Sequence, residues 1–176
     1  MSERTEYAVF RFLDQNGYCH KISDVIIGRS IMQYVKDEIP VTRQCFFGWS
    51  ARLAYQMEQY CKCRDGQIYG YLNPYAVIVA DENEILLIDV ADSENEELIR
   101  KMQKKKIRSL FVRKDHILSQ KMSEEDDLYG YGKTIQFMMA KCCMEDKFTG
   151  KEERTVRRIL TESDRKSGSA GMPRPI

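Results

Sequence analysis

The chain has 176 residues and a mass of 20.7 kDa, enough for one core that buries roughly 70% of the surface of the unfolded chain. Hydrophobic residues make up 43% and charged residues 31%, with only 10 Gly and 4 Pro, which excludes fibrous and wholly disordered classes. Lys plus Arg number 28 against 27 Asp plus Glu, a net charge of +1, and a protein built to grip a phosphate backbone carries a larger basic surplus.

Residues 7–14, YAVFRFLD, alternate as a strand does. Asn16-Gly17 follows as a turn, and YCHKISDVII resumes the extended pattern, so a β-hairpin is predicted, ending where Gly28 breaks the pattern. Residues 29–38 read as a short helix with Ile31, Met32 and Val35 on one side, stopped by Pro40. Between Thr42 and Lys62, Phe46, Trp49, Leu53, Met57 and Tyr60 recur at helical steps and predict a long amphipathic helix with that face in the core. Tyr55 and Tyr60 are read as core residues. Arg64-Asp65-Gly66 ends the helix, and VIVA and ILLID follow as two buried strands joined by the turn DENE.

Ser93, with Glu96 three residues on, forms a capping box for a helix to about Ile107, and residues 100–108 carry six basic side chains and no acid. Ser123 and EEDD open an apolar helix, the acids favouring its N-terminus through the helix dipole. Thr149 and Glu152 cap a last helix to about Leu160. The tail KSGSAGMPRPI has the composition of a disordered segment, giving a folded domain over 1–166 and a tail over 167–176.

No run reaches the about 18 apolar residues of a membrane span, and MSERTEYAVF lacks the basic-then-apolar design of a signal peptide. The six cysteines, at 19, 45, 61, 63, 142 and 143, show no CxxC pair, and with only His20 and His116 a four-ligand zinc site would need unusual pairings. Reduced, mostly buried thiols in a cytoplasmic protein are the expectation, with no metal and no cofactor. Nucleophilic catalysis by Cys61 or Cys63 has no support from the spacing of the histidines, and there is no GxSxG elbow.

The centre of the chain, IYGYLNPYAVIVADENEILLIDVAD, resembles the catalytic core of the protein kinase family, in particular the C-lobe of bacterial serine/threonine kinases. In this frame Tyr69 takes the His position of the catalytic loop, Tyr71 the catalytic Asp, Asn73 a Lys and Ala76 the metal-binding Asn. Leu72 and Pro74 match as they stand, and Asp89-Val90-Ala91 lies at Asp-Phe-Gly with only Asp89 kept. Val25 to Ile31 resembles the hinge strand entering the first C-lobe helix, and Thr42 to Lys62 the long helix before the catalytic loop. Asp127-Leu128-Tyr129-Gly130-Tyr131-Gly132 resembles the start of the large central helix, whose Asp braces the catalytic-loop backbone. Asp115 stands near the Glu that closes the activation segment, with Arg165 as a candidate for its Arg partner. The likeness covers residues 20–145, and no single motif in it is diagnostic.

The resemblance implies an α+β fold, a mainly helical kinase-like C-lobe with a short N-terminal hairpin replacing the N-lobe. It also implies an inactive one. A Tyr71 phenol, with a reference pKa of about 10, cannot serve as a carboxylate base, and Ala76 offers no oxygen to a metal. Only 68 residues precede Tyr69, with no GxGxxG and no VAIK-like strand among them. Asp89 alone is a poor magnesium site, a vestige at most of cofactor binding, and its plainer reading is a hydrogen-bonded turn residue. Tyr71 and Tyr75 are expected to plug the old cleft.

The function implied is a non-enzymatic pseudokinase, an adaptor or allosteric regulator whose partner is a protein such as an active kinase or signalling protein, or a second copy of the chain. Neither nucleic acid nor membrane is expected as a partner. The alternatives are a residual nucleotide-binding or weak phosphotransferase protein using Asp89, and an unrelated small α+β interaction domain. The basic helix Leu98–Arg108 is either a solvated face or a grip for an acidic or phosphorylated partner.

Overall fold

The computed structural model describes residues 5–64, 66–113 and 124–166. The chain begins with two long antiparallel strands, β1 (Thr5–Gln15) and β2 (Tyr18–Ser30), paired from Thr5↔Gly28 to Gln15↔Tyr18. Asn16 (φ 54°) and Gly17 (φ 80°) both take positive φ, as a two-residue turn that follows the strand twist requires. Gly28 does not end the strand. A Cβ there would lie 2.7 Å from the Val79 carbonyl oxygen and 2.8 Å from Ile78 Cγ2, so the glycine lets β2 run on and pair Arg29 with Val79 and Ser30 with Ile78.

Ser30 then caps α1 (Ile31–Lys36), its side chain accepting from the Gln33 N–H at 3.1 Å. A short β3 (Pro40–Val41) leads to α2 (Arg43–Cys63), capped by Thr42. Phe46, Trp49, Leu53 and Tyr60 are buried along one face of α2, while Tyr55, expected in the core, is 58% exposed. Position 55 lies two residues past Leu53 and five before Tyr60, off the buried stripe.

β4 (Val77–Val79) and β5 (Ile85–Leu87) form a buried antiparallel pair, completing a four-stranded antiparallel sheet in the order β1-β2-β4-β5. The helix expected from Ser93 to about Ile107 is in fact a turn and two helices. Asp92, not Ser93, supplies the cap, accepting from the Glu94 N–H at 2.9 Å ahead of a 3-10 turn at Ser93–Asn95. α3 (Glu96–Met102) and α4 (Lys105–Phe111) follow, separated by an extended Lys104 (φ -60°, ψ 137°). A continuous helix would stack Arg100 on Lys104 and Lys101 on Lys105, like charges four residues apart. The break avoids this and lets both Met102 and Phe111 enter the core.

α5 (Glu124–Lys141) crosses behind α2, and β6 (Cys143–Met144) pairs in parallel with β3. α6 (Gly150–Lys166) carries the expected capping box: the Thr149 N–H donates to Glu152 Oε1 (2.8 Å) and the Glu152 N–H to Thr149 Oγ1 (3.2 Å). It runs past Leu160 to Lys166, with Val156 in the core and Ser163 buried against Gly132 of α5. The described residues thus form an α+β protein with six α-helices, none long and apolar enough to cross a membrane. The tail at 167–176, Ser123, Asp115 and His116 lie outside the described residues.

The expectation of reduced, mostly buried thiols is corrected. Cys19 and Cys63 form a disulfide with Cα atoms 5.1 Å apart, within the usual span of such bonds. Of the free cysteines, Cys142 is buried, Cys45 and Cys61 are intermediate and Cys143 is exposed.

Burial raises the Cys142 thiol to about 11 from an ordinary 9.0, and the Tyr131 phenol, which donates to the Ser50 carbonyl at 3.0 Å, to about 12 from 10.0. In the intervening range the folded chain holds protons that the unfolded chain has released. Their contribution to stability is therefore complete below the unfolded values and is lost as pH rises through the folded ones. We expect Tm to fall progressively above about pH 9, and Cys142→Ala to remove the earlier part of that fall. A Tm flat to about pH 11 in both proteins would contradict this.

Candidate functional site: the Tyr69–Ala76 loop and its hairpin cover

The loop between α2 and β4 is pinned from three directions. From below, Asp127 on α5 accepts from the backbone N–H of Tyr69 through Oδ2 and of Gly70 through Oδ1, each at 2.7 Å. This is the bracing contact that the resemblance asks of Asp127. Gly130, one turn on, lets α5 come close: a Cβ there would sit 2.8 Å from the Leu72 carbonyl oxygen. From within, Asn73 is buried, its amide donating to the Tyr71 carbonyl (3.1 Å) and its Oδ1 accepting from the Tyr75 N–H (2.9 Å). From the side, the Pro74 carbonyl accepts from the Met32 N–H at 3.1 Å, joining the loop to α1.

Tyr69 points into the core, 4% exposed, and its hydroxyl donates to the Ile88 carbonyl at 2.7 Å. Burial holds its phenol well above the ordinary pKa. Its ring meets Tyr60 edge-on at 5.3 Å and Phe10 of β1 at 6.4 Å. Tyr69 is therefore a packing residue that ties the loop to the sheet. Ala76 is fully buried, its carbonyl accepting from the Ile88 N–H at 3.1 Å.

Tyr71 and Tyr75 are both half-buried, but in different settings. Tyr71 adjoins a void of about 10 Å³ shared with Met102, Ile107, Arg108 and Phe111, room for a water molecule at most. Tyr75 instead forms part of the wall of a cavity of about 360 Å³ between β1, α1 and α3, with Tyr7, Gln33, Lys36, Glu97 and Lys101. Tyr71 is thus closely packed against α3 and α4, while Tyr75 borders an open space.

Asp89 is 6% exposed and fully engaged by the hairpin and its own turn. Its Oδ2 accepts from Ser23 Oγ of β2 at 2.7 Å and its Oδ1 from the Ala91 N–H at 3.0 Å. Its backbone N–H donates to the Ala8 carbonyl of β1 at 2.8 Å. Buried Asn95 completes the clamp, its amide donating to the Ala8 and Asp89 carbonyls at 2.8 Å each. These are the bonds of a hydrogen-bonded turn residue, the plainer of the two sequence readings. Asp89 does not line the cavity beside Tyr75.

Ser23, Ala8 and Asn95 carry no signal in the sequence, since a serine in an alternating strand reads as a surface residue. Arg165, the candidate partner of Asp115, which lies outside the described residues, pairs with Glu162 on its own helix at 3.0 Å. The guanidinium that holds the start of α5 is Arg113, 3.1 Å from the buried Asp126 and 3.4 Å from Glu125. Among the described residues no cluster of three or more His, Cys, Asp or Glu side chains could hold a metal. No protein-family model matches the chain, and no curated protein matches it.

Proposed function

We propose that the chain is a catalytically inactive, kinase-like module that works by binding another protein, as an adaptor or allosteric regulator. One observation carries this reading: the N-terminal hairpin is bonded directly to the Asp89 segment, which in a kinase-like frame would face a nucleotide. Ser23 Oγ donates to the Asp89 carboxylate, the Ala8 carbonyl accepts from the Asp89 N–H, and Val9 and Phe10 of the same strand are buried in the core. The Asp127 brace and the passage of β2 directly into α1 support the kinase-like frame. Within that frame Tyr71 and Ala76 offer neither a base nor a metal ligand, so phosphoryl transfer lacks its parts. A cytoplasmic signalling role, with an active kinase, another signalling protein or a second copy as partner, follows as the working proposal.

The test is a thermal melt with and without millimolar Mg-ATP or Mn-ATP, with Asp89→Ala alongside. A ligand that binds only the folded chain raises its stability by RT ln(1 + [L]/Kd). The expected result is no shift with either nucleotide. A rise of several degrees that Asp89→Ala abolishes would instead favour nucleotide binding at Asp89, with the hairpin displaced.

A further inference from the structure

We propose that the exposed basic surface at the α3–α4 junction docks an acidic protein segment that carries an apolar side chain. This rests on the protein-binding reading above and names the partner chemistry for it. Lys101, Lys104, Lys105 and Lys106 are exposed there, with Arg108 beside them half-buried. No acidic residue occurs between Leu98 and Arg113, so nothing within the stretch interleaves with these cations. Among the described residues, Arg100 is bonded to Glu96 one turn earlier at 2.7 Å.

Ordinary solvation does not account for the arrangement. The chain as a whole is nearly neutral at +1, so the surplus is local. Crowding like charges opposes the fold, and α3 and α4 are separate helices where a continuous one would have stacked them. The other side of the junction is firmly anchored, with Met102, Phe111 and Val112 buried and the Phe111 ring 6.0 Å from Phe137. The lysines therefore stand on a rigid base, and they are not needed to seat it.

Leu110, 51% exposed, lies four residues past Lys106 and so on the same helix face. From Lys104 to Leu110 the helix rises about 9 Å, the reach of roughly three extended residues. The surface thus fits a short strand of carboxylates with one apolar side chain at its end. A single leucine is too little apolar area to enter a bilayer, and a net charge of +1 is slight for a polyanion binder.

The experiment is fluorescence anisotropy of a labelled peptide of repeated Glu-Glu-Leu units, titrated with the full chain at low salt. The charge-reversal variant is Lys104→Glu/Lys105→Glu/Lys106→Glu. Its control, Arg154→Glu/Arg157→Glu/Arg158→Glu, makes the same change of net charge on α6. We expect saturable binding that weakens about tenfold or more in the lysine variant, much less in the control, and several-fold in Leu110→Ser. Should the lysine variant melt early, Lys105→Gln/Lys106→Gln replaces it. Absence of saturable binding, an equal loss in the control, or tighter binding to phosphatidylserine vesicles or single-stranded DNA than to the peptide overturns the proposal. The nucleotide melt does not depend on this surface, so the two readings fail separately.

Discussion

Asp127→Ala is expected to lower stability by about 3–5 kcal/mol, since each hydrogen bond to an ionised acceptor contributes about 1.5–3 kcal/mol. Both bonds are short, 2.7 Å, and both come from consecutive backbone N–H groups at Tyr69 and Gly70. Alanine would leave those donors without this acceptor beneath a loop that α5 approaches closely through Gly130. Tyr69 and Leu72, each 4% exposed, pack the loop above, but Asp127 also lines an open cavity of about 460 Å³ from which water can reach the vacated site, which places the loss at the lower end of that range. For a chain of this size the loss corresponds to a fall in Tm of about 10 °C. Asp127→Asn is the finer probe. It keeps one carbonyl oxygen but turns an amide donor toward the second N–H, so it should recover less than half of the loss. Urea unfolding of the three proteins measures both. If Asp127→Ala costs under about 1 kcal/mol, the loop is held by Asn73 and Pro74 without a brace, and the main geometric support for the kinase-like frame goes with it.

Local chemistry made parts of this architecture legible. Asn16-Gly17 between alternating runs specifies the hairpin, because few other pairs accept positive φ at both turn positions. The spacing of Phe46, Trp49, Leu53 and Tyr60 specifies α2, and Thr149 with Glu152 specifies the start of α6. What stayed hidden depends on contacts far apart in the chain. Ser23 meets Asp89 across 66 residues, and Asn95 meets Ala8 across 87. Neither pairing has a periodicity to betray it. Gly28 was misread for a related reason. A glycine in a strand pattern marks either an end or a close approach, and only the position of Val79 decides between them. The split between α3 and α4 is a compromise between charge repulsion and burial of Met102 and Phe111, and helical periodicity registers only the second. At the candidate site, the unusual residues Tyr69, Tyr71, Ala76 and Asp89 could be picked out from the sequence, whereas the contact of the predicted hairpin with Asp89 could not.

Reduction of the Cys19–Cys63 bond is expected to destabilise the oxidised protein by about 4 kcal/mol, the chain-entropy contribution of a loop spanning 44 residues. The effect should concentrate in the hairpin. Cys19 lies at the turn end of β2, whereas Cys63 closes α2, whose Tyr60 ring packs against Phe10 at 5.6 Å and Phe12 at 6.3 Å. The bond therefore fastens the free end of the hairpin to the helix it leans on. At its other end the hairpin is held by the β2–β4 pairing at Arg29 and Ser30. Between the two anchors lie Ala8 and Ser23, the groups that close over Asp89. Cutting one anchor shortens the lever that keeps this cover in place, so β1 and β2 amides should exchange with solvent faster than those of α2 or α5. The prediction is a Tm lower by about 10 °C in reductant for the wild type and no reductant dependence for Cys19→Ser, with faster exchange confined to the hairpin. A reducing cytoplasm would hold the chain in the looser form, and an oxidising environment in the closed one. Should reductant leave both Tm and hairpin exchange unchanged in a sample shown by mass to be oxidised, the aromatic packing of Phe10, Phe12, Tyr60 and Tyr69 alone is enough to seat the hairpin.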